Sequence, residues 1–182
     1  VGGDVPTRRA LLALVEGMQT RFIAPEHGVM LEKPRGAADN WFEPGHQFEW
    51  YFLLHSSTLL RTTALHGSLD RAFSYAEQVG VDAQTGAVCG MLGSDGQLRD
   101  GTQRIWAQAE YVRALTLRKN CLERLPRQLQ ALQQHFLHHG GWYECLDPQG
   151  HVSRADMPST TPYHLATCYS GLAQYFASVG PI

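Results

Sequence analysis

Hydrophobic side chains recur at helical spacing over most of the chain, and strand-like alternation is confined to short stretches between the helical ones. Leu11, Leu12, Val15, Met18 and Phe22 share one face, which predicts an amphipathic helix over Thr7 to Phe22 with Pro6 or Thr7 near its first turn. Further helices are expected from His46 to Leu65, from Gly67-Ser68-Leu69-Asp70 to Gly80, from Gln103 to Asn120, from Leu122 to His139 and from Tyr163 to Ala177. Gly140-Gly141 sits where the fifth helix would take a left-handed cap.

The connections alternate: short between helices two and three and between four and five, long before helices two, four and six. That pattern suggests helical hairpins joined by longer loops. The long loops resemble one another. Gly28-Val29-Met30-Leu31-Glu32, Gly86-Ala87-Val88-Cys89-Gly90-Met91-Leu92 and Gly141-Trp142-Tyr143-Glu144-Cys145-Leu146 each open on glycine and continue in short alternation. Polar turns follow the last two, Ser94-Asp95-Gly96 and Asp147-Pro148-Gln149-Gly150, as small hairpins require. Each loop leads to a helix start rich in functional side chains, and His46, Trp106 and His164 there are separated by 60 and 58 residues. A loop plus a helix pair recurring at that period is a repeat architecture. Such pairs stack as an open solenoid or close into a toroid, and polar residues gathered at the starts of alternate helices favour a closed, all-α toroid with short β-hairpins in its loops.

At 182 residues, 43% hydrophobic and 18% charged, the chain has the apolar content of one packed domain spanning residues 1–182. Fifteen Lys and Arg against seventeen Asp and Glu are scattered, which argues against a nucleic-acid groove and a polybasic membrane anchor. Apolar runs such as Ala10 to Val15 fall far short of the roughly 20 residues a spanning helix needs, and Arg8-Arg9 before that run lack a cleavage pattern. A soluble, cytoplasmic protein is expected. Cys89, Cys121, Cys145 and Cys168 are too widely spaced for metal-finger pairs and are expected to be reduced thiols, a disulfide framework being the alternative. The chain opens on Val1, which points to a processed or truncated protein.

Three segments carry the candidate chemistry. In Glu43-Pro44-Gly45-His46-Gln47-Phe48-Glu49-Trp50, helical spacing puts His46, Glu49 and Trp50 on one face, so that a carboxylate can orient an imidazole whose pKa suits a general base. In Arg104-Ile105-Trp106-Ala107-Gln108-Ala109-Glu110, polar and charged groups beside an indole suit a polyhydroxylated ligand. Met157-Pro158-Ser159-Thr160-Thr161-Pro162-Tyr163-His164 is again a loop ending in a histidine at a helix start. Each segment alone also fits a capped helix with a satisfied histidine or a core tryptophan. His135, His138 and His139 suit a solvated helix end, and His55 and His66 have no supporting neighbours in the sequence.

Taken together and in this order, EPGHQFEW, RIWAQAE and STTPYHLA resemble the C-terminal half of the N-acylglucosamine 2-epimerase superfamily, which includes mannose isomerases and cellobiose 2-epimerases. The resemblance covers nearly all of the chain. It implies an (α/α)6 barrel of which this chain supplies about half, packing with a missing N-terminal half or self-associating. It also implies that His46 and His164 are the acid/base pair, with Glu49 orienting His46, and that Trp106, Glu110, Arg104 and Gln108 contact sugar. Leu165-Ala166-Thr167 stand where the epimerases often carry a basic residue, and the Ser-Thr-Thr-Pro-Tyr-His lead-in is more like the mannose-isomerase branch.

The implied reaction is isomerisation of a free hexose, mannose to fructose, through an enediol, with 2-epimerisation as the alternative. Neither a cofactor nor a metal is called for. Two readings from other classes stand beside it: a noncatalytic helical-repeat scaffold, and a glycoside hydrolase or lyase using Glu49 and Glu110 as its carboxylate pair.

Overall fold

The computed structural model describes residues 5–58, 60, 65–119 and 121–179. About half of the chain is helical: α1 (Val5–Arg21), α2 (Pro44–Ser56), α3 (Leu65–Gly80), α4 (Ile105–Leu115), α5 (Arg124–Ala131) and α6 (Pro162–Val179). The expected all-α content is therefore too high. Long loops carry eight short strands: β1 (Trp41–Phe42), β2 (Met91–Gly93), β3 (Leu98–Asp100), β4 (Gln103–Arg104), β5 (Leu137–His138), β6 (Gly141–Trp142), β7 (Cys145–Leu146) and β8 (Val152–Arg154).

Three helix ends fall short of expectation. α2 stops at Ser56 because the Ser56-Ser57-Thr58 run is poor in helix formers, and Ser57 is already extended; the expected extension crosses residues 59 and 61–64, which lie outside the described residues. α4 stops at Leu115, where the Thr116 hydroxyl donates to the Arg113 carbonyl at 2.6 Å and turns of three-residue span follow; Asn120 lies outside the described residues. α5 passes into a π-turn over Leu132–Phe136 and ends, since Leu137–His138 pairs with Gly141–Trp142 as a hairpin. Gly140-Gly141 thus turns a hairpin and does not cap a helix, with Gly141 at φ 145°.

The repeat is visible in the pairing. The β1 strand ahead of α2 joins the β2–β3 hairpin of the next unit, and the β4 strand ahead of α4 joins the β7–β8 hairpin of the unit after that. Both hairpins turn at Asp-anchored loops with left-handed glycines, Gly96 at φ 80° and Gly150 at φ 85°. Gln47 accepts from the Met30 amide at 2.8 Å and donates to its carbonyl at 2.9 Å; Gln108 does the same to Val88, at 3.0 Å in both directions. Each of these two loops is thereby fastened to the helix that follows it, and in the first this places Glu32 beside the opening turn of α2. α4 packs between α2 and α6, and α2 also packs on α3, around Phe48, Phe73, Leu69, Ile105 and Leu115. Each such side chain contributes roughly 1.5–3 kcal/mol of burial free energy. Among the described residues no helix is long and apolar enough to cross a membrane, and all four cysteines are unpaired.

Candidate active site

α2 starts at Pro44, whose fixed φ suits the first helical turn, and this sets His46 one residue beyond Gly45. A Cβ on Gly45 would lie 2.7 Å from the Trp106 ring and 2.8 Å from Ala107 Cβ, so glycine is what lets the starts of α2 and α4 come together. The Trp106 ring consequently sits 5.0 Å from that of His46 on one side and 5.3 Å from that of His164, in the first turn of α6, on the other. The three rings expected to converge are neighbours, although His46 does not line the cavity that Trp106 and His164 share.

Each histidine is held by a carboxylate. His46 Nδ1 lies 2.7 Å from Glu32 Oε1, and His164 Nδ1 lies 2.6 Å from Glu110 Oε1. An ionised carboxylate only accepts, so the neutral imidazoles carry their proton on Nδ1 and keep the Nε2 lone pair for proton transfer. Burial pulls the His46 pKa down, but the hydrogen bond to Glu32 and the charges of Glu32, Glu43 and Glu49 outweigh it and hold the group above its ordinary value. Glu110 is fully buried and is also ion-paired with Arg113, itself buried and stacked on the Phe52 ring at 4.5 Å. Arg113 supplies the partner charge that a buried carboxylate requires.

Four of the sequence assignments change. Glu49 does not hold His46: Glu32 does, and Glu49 instead accepts a 3.4 Å hydrogen bond from Tyr163 and stands near Glu110 and His164. Glu110 is closed to solvent beneath His164, so it acts on the histidine and not on a sugar, and the Glu49/Glu110 hydrolase pair loses one member. Gln108 is 1% exposed, bonds both ways to Val88 and so fastens a loop, and the sugar-side cavity is not lined by it. His55 and His66 are not isolated; they pack on each other and on Asp70. Trp106 and Arg104 line a cavity of about 560 Å³ with His164, Tyr163, Glu144 and Arg154. Arg104 Nη1 also lies 3.9 Å from Glu43 Oε2 in the α2 approach. A second cavity of about 600 Å³, by the end of α3, contains neither His46 nor His164.

Glu32 and Glu144 escaped the sequence reading. Glu144 is buried and accepts from Thr161 Oγ1 at 2.8 Å and from Trp142 Nε1 at 3.1 Å, bracing the loop before His164. The signal was available: each glutamate stands in one of the glycine-led runs, at a point that reads as an ordinary strand position unless the run is placed beside the following helix. Glu49, Glu110 and His164 offer atoms within 4.8 Å of one another, but both Glu110 oxygens are engaged, by His164 and Arg113, which fits proton handling better than metal ligation.

A family model described as N-acylglucosamine 2-epimerase (GlcNAc 2-epimerase) matches residues 8–168. No curated protein sequence matches the chain. Among solved structures it is similar to a D-mannose isomerase, with 24% identity and a TM-score of 0.61 over 73% of this chain and 38% of that one. It is similar as well to the cellobiose 2-epimerase of Spirochaeta thermophila DSM 6192, with 16% identity and a TM-score of 0.67 over 94% of this chain and 50% of that one. The cellobiose 2-epimerase of Bacillus thermoamylovorans B4167 shares 15% identity at a TM-score of 0.76, over 94% of this chain and 48% of that one. The chain spans half or less of the length of each of these structures.

Proposed function

The chain belongs to the N-acylglucosamine 2-epimerase family, and on that premise we propose that it carries the acid/base centre of a sugar isomerase acting on a free hexose, of the mannose-to-fructose type. The observation that carries this reading is the matched pair of histidines, each with Nδ1 clamped by a carboxylate, on either side of Trp106. The indole offers an apolar face to the C–H side of a sugar, and Arg104 at the cavity wall offers donors to its hydroxyls.

In the open-chain aldose, His164 Nε2 takes the proton from the carbon next to the carbonyl. The electron pair of that C–H bond forms the C1–C2 double bond while the carbonyl oxygen gains a proton, giving an enediol. His46 serves as the partner acid/base: in its protonated form it gives its Nε2 proton to the carbonyl oxygen, and it takes back the proton that the C2 hydroxyl loses. Return of a proton to C1 as the C2 hydroxyl becomes a carbonyl yields the ketose. Glu110 and Glu32 keep the two imidazoles in the tautomer and orientation the transfers need, and Glu49 is placed to steady the enediol side of the site through Tyr163. Each general acid/base step contributes roughly 10²- to 10⁴-fold. No cofactor enters this scheme.

The second reading is 2-epimerisation, favoured by the presence of two such histidines where isomerisation can proceed with one: a proton returned to C2 from the opposite face gives the epimer. The site of label separates them, since in heavy water isomerisation places deuterium on C1 of the ketose and epimerisation on C2 of an aldose. We further propose that the exposed apolar side chains of α1 and α6, Leu12, Leu14, Tyr169 and Phe176, pack against further helices or a second copy in a closed (α/α)6 ring. Sedimentation of the natural full-length protein tests the copy number.

A further inference from the structure

At the end of α2 away from His46, His55 faces the start of α3. Its Nε2 lies 3.9 Å from Asp70 Oδ1, and His66 Nδ1 lies 3.9 Å from Asp70 Oδ2. The two imidazole rings are 3.8 Å apart, and one ligand atom from each of the three side chains falls within 4.8 Å of the others. Separations of 3.9 Å are too long for hydrogen bonds, so direct bonding between these groups does not explain why they converge. They are close to what an ion requires: tetrahedral ligands at about 2.0–2.2 Å from a zinc ion are about 3.3–3.6 Å from one another, which small side-chain rotations here would reach.

The environment is arranged for ligation. His55 Nδ1 lies 2.8 Å from the Tyr51 carbonyl oxygen, which can only accept, so the proton is on Nδ1 and the Nε2 lone pair is the one turned toward Asp70 and His66. A backbone carbonyl that fixes the tautomer through the far nitrogen is the outer support that metal-bound histidines take. Arg118 is the opposing charge: its Nη1 lies 3.2 Å from Asp70 Oδ1, and its guanidinium stacks over Phe73 at 4.7 Å and Tyr51 at 5.7 Å. Tyr51 also interacts with Asp70. Oδ2 is the carboxylate oxygen on the His66 side, and Asp70 is exposed enough for water to complete the coordination.

We propose that His55, His66 and Asp70 form a binding site for a divalent transition metal of the zinc class, clipping the last turn of α2 to the first two turns of α3. Two imidazoles and one carboxylate suit Zn²⁺, Co²⁺ or Ni²⁺ over Ca²⁺ or Mg²⁺. The site is separate from the sugar cavity and does not depend on the sugar reading.

The test is titration of Co²⁺ into chelator-treated protein, followed by visible absorption, with Zn²⁺ competition and melting temperature as second readouts. The expected result is one saturable site with Kd below about 100 μM, a melting temperature that rises with Zn²⁺, and affinity at least about tenfold weaker in His66→Ala and in His55→Ala. His66→Gln serves if His55→Ala loses helix content. Binding should persist in His164→Asn. Absence of a saturable site below about 1 mM overturns the proposal, as does affinity unchanged in His66→Ala, which would place the ion on other histidines such as His138 and His139.

Discussion

His164 Nδ1 and Glu110 Oε1 are 2.6 Å apart, and the glutamate that makes this contact is inaccessible to solvent. A buried carboxylate of this kind serves its neighbours: it bonds to one histidine and is ion-paired with one arginine. Glu110→Gln should therefore lower turnover with little change in KM. It should also destabilise the fold by about 3–5 kcal/mol, because Arg113 is left as an uncompensated buried charge. Adding Arg113→Met should recover part of the stability and none of the turnover, and urea unfolding alongside steady-state kinetics reads both.

The Glu32–His46 pair has a defined pH signature. The folded pKa of His46 stands above the 6.5 of an unperturbed histidine, so the pair adds stability that is fully present below pH 6.5 and is lost as pH rises through the folded value. The melting-temperature gap between the native protein and Glu32→Gln should thus be larger at pH 5.5 than at pH 8.5. A gap that widened with pH would contradict the pairing.

Gly45→Ala should destabilise by roughly 1–3 kcal/mol, the usual range for overpacking, since its Cβ has to displace the Trp106 ring. Because that ring is shared by both histidines, turnover should fall too, and the change should appear in tryptophan fluorescence.

Gln108→Leu should be a stability variant only. Losing its two contacts with Val88 leaves that residue's amide and carbonyl unpaired, at about 1–3 kcal/mol each, while KM for the sugar stays unchanged in kinetics run well below the melting temperature.

Much of this was legible in the sequence and some of it was not. The period that brings His46, Trp106 and His164 together shows because it is written in loop and helix lengths, which are local. Helix ends were overrun at α2, α4 and α5 because the Thr116 back-bond and the β5–β6 hairpin are decided by contacts that hydrophobic spacing does not record. Side-chain roles failed in one consistent way. Glu49 lies one turn from His46 and invites pairing with it, yet the partner comes from Glu32, 14 positions back in a separate loop. Gln108 and Glu110 sit among ligand-like neighbours but face the core, and which face of α4 is covered depends on α2 and α6 packing on either side.

The most direct measurement is proton NMR of mannose incubated in heavy water with the natural full-length protein and with its His164→Asn and His46→Asn forms. Fructose carrying deuterium on C1 is expected, with turnover lowered at least about 10²-fold in each variant while circular dichroism is unchanged. Deuterium on C2 of a recovered aldose would move the reaction to epimerisation at the same two histidines. Full activity in both variants, or no solvent exchange into mannose, glucose or an N-acylhexosamine, would contradict the acid/base assignment and leave a noncatalytic scaffold in its place.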